Sequence, residues 1–119
     1  MNAELFRAYC LKKHAVTESF PFDQTTLVFK VANKMFALTG LETAEFSVNL
    51  KCDPERAIEL REEYHCIKSG FHMNKHHWNT VTPQACLTHQ QFFELVDHSY
   101  NLVVASLPKK VKLEFGFKE

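Results

Sequence analysis

Residues Phe46 to Lys51 alternate cleanly: Phe46, Val48 and Leu50 point one way, and Ser47, Asn49 and Lys51 point the other. A period of two predicts a strand with one buried face, as in an antiparallel sheet. Leu27 to Val31 repeats the pattern, with Leu27, Phe29 and Val31 on one face and Val28 and Lys30 on the other. Asn33 marks a tight turn, and Met35 to Thr39 reads as the return strand of a hairpin, with Phe36 and Leu38 sharing a face. Two further strands fall near Ile67 to Phe71 and His77 to Thr82, with Gly70 as a bend.

The intervening segments follow the helical period instead. Asn2 caps a first helix running to about Lys13, with Leu5 and Tyr9 inward. Phe20-Pro21-Phe22-Asp23 then makes a loop anchored by two aromatics. Asp53-Pro54 opens a second helix to about Tyr64, with Ala57, Leu60 and Tyr64 on its inner face. Thr88 followed by Gln91 matches a capping box and opens the longest helix, to about Ser106. Phe92, Val96, Tyr100, Val103 and Leu107 keep its period until Pro108 ends it. Val111 to Phe117 reads as a short strand or extended arm. Antiparallel strands with one apolar face need helices to cover that face. The expected fold class is α+β: a two-layer sandwich with a twisted antiparallel sheet of about five strands and the first and last helices on one side.

Composition adds little to the architecture. The chain has 119 residues and 45% hydrophobic positions, enough for one packed core, so a single domain over 1–119 is expected. Formal net charge is zero, which argues against a uniformly basic nucleic-acid binder but leaves room for a local basic patch. Cys10, Cys52, Cys66 and Cys86 show no CxxC spacing, so reduced thiols in the cytoplasm are the simplest reading. No apolar run is long enough for a signal peptide or membrane span.

The candidate chemistry lies in the stretch from Tyr64 to Phe93, which has no Asp or Glu and holds five of the seven histidines. His72, Asn74, Lys75, His76, Trp78 and Asn79 form its centre. A cation beside an aromatic can grip phosphate or stack on a base. Trp78 could equally fill the core beneath a strand. Lys109, Lys110 and Lys112 make a second basic cluster, which either complements a helix C-terminus or forms an arm beside a groove. Lys51 and Asn49, on a polar strand face, would extend that surface. His72, His76 and His77 with Cys66 or Cys86 offer metal-ligand types, but without helical spacing or neighbouring carboxylates. Asp97 and His98 are adjacent and so face different ways on a helix, and no element marks an activated nucleophile. A non-enzymatic protein without metal or cofactor is therefore expected.

These segments together resemble the bacterial MmcQ/YjbR-like family. The resemblance is carried by Phe20 to Phe22 with Thr26 to Val31, by Lys34 to Leu38 and by Asn49 to Glu55. It is carried most specifically by Gly70 to Val81 and Leu95 to Val104, and it closes on Leu107 to Lys110. Two departures are Lys13-His14-Ala15, where relatives have a proline-glycine turn, and the short loop from Pro83 to Leu87. The resemblance implies a frataxin/CyaY-like sandwich and a DNA-binding role through the His/Lys/Trp surface. Association of relatives with drug-resistance genes extends that implication to DNA-damaging compounds. The acidic ridge that serves iron binding in frataxins is missing, since the first helix offers only Glu4. Two other partners fit the same residues: a small planar ligand, such as a drug or nucleotide, on Trp78, Asn79, His72 and Met73, and another protein. A monomer with no membrane contact is expected.

Overall fold

The structure is a computed structural model that describes residues 1–118. In chain order its elements are α1 (Ala3–Leu11), β1 (Val16–Ser19), β2 (Thr26–Val31), β3 (Lys34–Gly40), β4 (Val48–Lys51), α2 (Pro54–Glu63), β5 (Ile67–Ser69), β6 (Trp78–Val81), α3 (Pro83–Cys86), α4 (His89–Ser106) and α5 (Lys109–Glu114). The strands form one sheet in the order β1-β2-β3-β4-β6-β5, antiparallel throughout. The α+β two-layer architecture is as expected, with one strand more. The extra strand is β1, a four-residue edge strand whose Val-Thr-Glu-Ser sequence lacks an apolar alternation.

Local chemistry sets the boundaries. The Asn2 side chain accepts from the Leu5 N–H, the Asp53 side chain accepts from the Arg56 N–H, and Thr88 with Gln91 forms a complete capping box. Ala32 and Asn33 both take positive φ, at 48° and 69°, in the two-residue turn of the β2–β3 hairpin. Pro108 ends α4, but the residues after it form a helix rather than a strand or arm. Pro108 occupies the N-cap position of α5, and the Lys112 N–H bonds its carbonyl.

α4 lies across β2, β3 and β4, α2 covers β5 and β6, and α1 packs beside β1. The core between these helices and the sheet contains Phe6, Phe29, Phe36, Phe92, Val96 and Val103. Phe6 and Cys10 are the buried residues of α1, whereas Leu5 is exposed, so the inward stripe sits one residue later than the sequence spacing placed it. Phe36 and Leu38 also part company. A register shift opposite Phe29 and Lys30 puts Phe36 in the helix-side core, while Leu38 joins Val28 and Trp78 on the other face.

Cys66 and Cys86 are joined by a disulfide, contrary to the expectation of four reduced thiols, with Cys10 and Cys52 free and buried. The bond ties the start of β5 to α3.

One hydroxyl fastens α4 to the sheet. Buried Ser99 donates to the Phe36 carbonyl and accepts from the Lys51 N–H at 2.9 Å. The S99A variant leaves both backbone groups without that partner in a dry environment. A loss of about 1–3 kcal/mol of stability is expected, measurable by urea denaturation.

Candidate functional site

An antiparallel sheet delivers its connections alternately to two ends. The end holding the β2–β3 turn also receives the α1–β1 turn, the end of β4 and the β5–β6 loop of residues 70–77. α5 reaches the same end. The Tyr100 hydroxyl bonds the His14 carbonyl at 2.6 Å, the His14 ring bonds the Phe115 carbonyl, and His14 and Phe117 rings meet edge-on at 4.9 Å. Lys12, Lys34, Lys51, Lys75, Lys110 and Lys112 therefore gather at one end, with His72, His76 and His77 and with Lys109. Among the described residues Lys34, Lys51 and Lys75 make no ion pair. The opposite end receives the loops carrying Asp23, Glu42 and Glu45, and the last turn of α2 with Glu62 and Glu63. The neutral net charge is thus the sum of an acidic end and an end enriched in lysine and histidine, where Asp53 and Glu55 at the start of α2 and Glu114 on α5 offset part of the positive charge.

The sequence candidates separate on this frame. Lys51, His72, Lys75, His76, Lys109 and Lys110 all lie at the basic end. Trp78 does not offer a stacking face: it is only 8% exposed, packed with Val28 and Leu38 beneath Met35 and Met73. This corrects the reading of Trp78 as an open platform. Asn79 is buried on the helix side, where its Oδ1 accepts from Arg61 at 2.9 Å, so it is not a surface contact. The Asn74 side chain accepts from the His76 N–H at 2.8 Å and thereby shapes the loop.

The β5–β6 loop is held from both sides of the sheet. On the outer face the Asn49 amide donates to the Phe71 carbonyl at 3.1 Å, and Thr80 Oγ1 accepts from the Phe71 N–H at 2.9 Å and donates to Asn49 Oδ1. On the helix side the Arg61 guanidinium bridges the Lys75 carbonyl and Asn79. Nothing in the spacing of Arg61 along α2 marks it as a clamp. Lys34 carries no functional signal in the sequence, because a lysine beside a hairpin turn is ordinary on its own.

Other chemistry-bearing groups are engaged structurally. The Asp97 carboxylate accepts from the Tyr9 hydroxyl at 2.7 Å and from Lys13, while His98 Nε2 accepts from the Asp53 N–H at 3.2 Å. Burial pushes the Cys52 thiol up to about 11 and the Cys10 thiol higher still, so neither supplies a thiolate near neutral pH. Among the described residues no three His, Cys, Asp or Glu side chains are grouped as a metal ion would require, and Cys66 and Cys86 are committed to their disulfide. No helix among them is long and apolar enough to cross a membrane.

With this geometry in hand, the comparisons with known proteins are specific. The YjbR family model matches residues 11–102. The chain belongs to the YjbR family. It is 33% identical to protein YjbR of Escherichia coli K12 over 102 residues, covering 86% of each chain. It is 36% identical to protein YbdF of Escherichia coli O157:H7 over 91 residues, covering 76% of this chain and 75% of that one. The crystal structure of Deinococcus radiodurans protein DR2400 superposes with a TM-score of 0.92 at 36% identity, over 98% of this chain and 89% of that chain. A protein from Pseudomonas syringae gives 0.73 at 28% identity, over 86% and 98%. The YjbR match spans the β5–β6 loop and most of α4, including Ser99.

Burial, then the nearby Arg56 cation, holds the His98 pKa below the usual histidine value. A depressed pKa means the unfolded chain binds the proton more readily. The corresponding stability is fully present above pH ~6.5 and is lost as pH falls through the folded-state value. Urea midpoints should therefore drop between about pH 7.5 and about pH 5, a window that spans the ordinary histidine pKa, and H98Q should flatten that drop. An unchanged profile in H98Q would assign the pH dependence elsewhere.

Proposed function

We propose that this YjbR-family protein is a non-enzymatic module that binds DNA through the basic end of its sheet. The observation that carries this reading is the separation of charge along the strand direction. β3 has seven residues, which at ~3.3 Å each sets the two ends roughly 20 Å apart. The Debye length at physiological ionic strength is about 8 Å, so a phosphate at the basic end is largely screened from the acidic end. Zero net charge is then no obstacle to phosphate binding.

The groups at this end suit backbone contact. Lys34, Lys75 and Lys110 are exposed ammonium groups, and His72, His76 and His77 are exposed imidazoles beside them. With Trp78 buried and the exposed Phe71 ring lining the outer-face groove, contacts to phosphate dominate and sequence preference should be weak. The engagement of Asp97 and His98 elsewhere, and the raised thiols, support a binding role over catalysis.

Anisotropy titrations of a labelled duplex should show affinity that falls steeply with salt, about 0.9 logarithmic units per phosphate contact. K34A and K75A should each reduce that slope by about one contact, while E45Q at the acidic end leaves it unchanged. No binding even at low salt, or a slope indifferent to both lysines, would retire the proposal.

A further inference from the structure

A second concave surface lies away from the lysines of the basic end. It is a groove of about 820 Å³ on the outer face of the sheet, between the β1–β2 loop and the start of the β5–β6 loop. Its volume falls within the usual range for small-molecule sites, ~300–1,000 Å³. Leu38 and Met73 give it apolar lining, and Phe22 and Phe71 stand along it with 65% and 70% of their surfaces exposed. Two exposed phenylalanines lining one apolar groove are better explained by a ligand than by folding, because folding alone gains nothing from leaving them in water.

The polar groups of the groove divide into engaged and open. Asn49 and Thr80 are tied to each other and to the Phe71 backbone, so this part of the lining is rigid. Asp23 also lines the groove, but its carboxylate accepts from the backbone N–H groups of Thr25 and Thr26 and from both threonine hydroxyls. Those hydrogen bonds hold its pKa below the usual carboxylate value and turn it toward its own loop. Lys68 is different. It is exposed on β5 at the wall of the groove, and among the described residues no carboxylate pairs with it. The available chemistry is therefore aromatic surface, an apolar lining, the Lys68 ammonium, the exposed His72 ring and the hydroxyls of Ser47 and Ser69.

We infer that this groove binds a small planar aromatic molecule carrying an acidic group, with its rings against Phe22 and Phe71 and its acidic group at Lys68. The site adjoins the surface proposed for DNA at His72 but extends away from it along the outer face to Phe22, and its occupancy is measurable without any nucleic acid.

The test uses three probes on the full chain: 2-naphthoate, its neutral alcohol 2-naphthalenemethanol, and the non-aromatic cyclohexanecarboxylate. In two-dimensional amide NMR titrations, 2-naphthoate should shift residues around Phe22, Asn49, Lys68 and Phe71 with a single dissociation constant. The alcohol and the cyclohexane acid should each bind about tenfold more weakly. F71A should weaken 2-naphthoate about tenfold, and K68A should weaken 2-naphthoate while leaving the alcohol unchanged. Both side chains are exposed, so these variants should keep the native spectrum elsewhere. No shifts at millimolar probe, shifts centred on another surface, or equal binding of all three probes would each overturn the inference.

Discussion

A sheet with apolar residues on both faces cannot leave either face to water. Helices cover one side here, but on the other side Val28, Leu38 and Trp78 are shielded by little more than one loop. Burying a tryptophan and its neighbours is worth several kcal/mol, roughly 25 cal/mol for each Å² of apolar surface removed from water. The path of the loop follows from that need. Gly70 lets it turn back over β6, because a Cβ there would lie 2.7 Å from the Trp78 Cβ and 2.9 Å from the Trp78 carbonyl oxygen. His72 adopts a left-handed φ of 60°, Met73 drops onto the apolar cluster, and Asn49, Thr80 and Arg61 hold the chain from both sides of the sheet. A segment rich in His and Lys is thereby fixed at one end of the molecule, and Phe71 is left beside the outer groove.

Antiparallel topology does the rest of the electrostatic work. Each connection lands at the end opposite the previous one, so charges that alternate along the chain are sorted in space. The acidic connections at Asp23, at Glu42 with Glu45, and at Glu62 with Glu63 go to one end. The basic ones at Lys12, Lys34, Lys51 and Lys75 go to the other, where Asp53 and Glu55 of the β4–α2 connection are the acidic exceptions. α5 adds its lysines to the basic side because His14 and Tyr100 draw its C-terminal end onto the α1–β1 turn. Among the described residues, the ion pairs Lys13 with Asp97 and Arg56 with Glu94 neutralise two cations near the basic end, and Arg7 pairs with Glu18, while Lys34, Lys51 and Lys75 keep their charges unpaired.

Much of the fold was legible because its signals are local. A cap, a capping box, a hairpin turn and a period of two each act within a few residues, so Asn2, Asp53, Thr88, Asn33 and the strand at Val48 to Lys51, two residues shorter than its pattern, could be read directly. The misreadings have non-local causes. β1 is held by pairing with β2 rather than by its own pattern, and the bulge that separates Phe36 from Leu38 depends on how two strands meet. Leu5 and Phe6 compete for one helical stripe, and only the packed sheet decides between them. For the site, the histidine-rich stretch was visible, but Trp78 looked the same in sequence whether it stacked on a ligand or filled a core. The charge separation could not be seen at all in a linear count, because it arises from which loops share an end. Phe22, Phe71 and Lys68 are far apart in the chain and are brought to one groove only by the strand order.

The central claim is that topology gathers the basic residues into a single phosphate-binding end. Amide NMR of the labelled protein, titrated with a short DNA duplex at low salt, tests it most directly. The account predicts shifts and broadening concentrated at residues 12–15, 32–34, 51–53, 70–77 and 109–117. Perturbations centred on residues 20–25 and 41–47, or a spectrum unchanged by DNA, would contradict it.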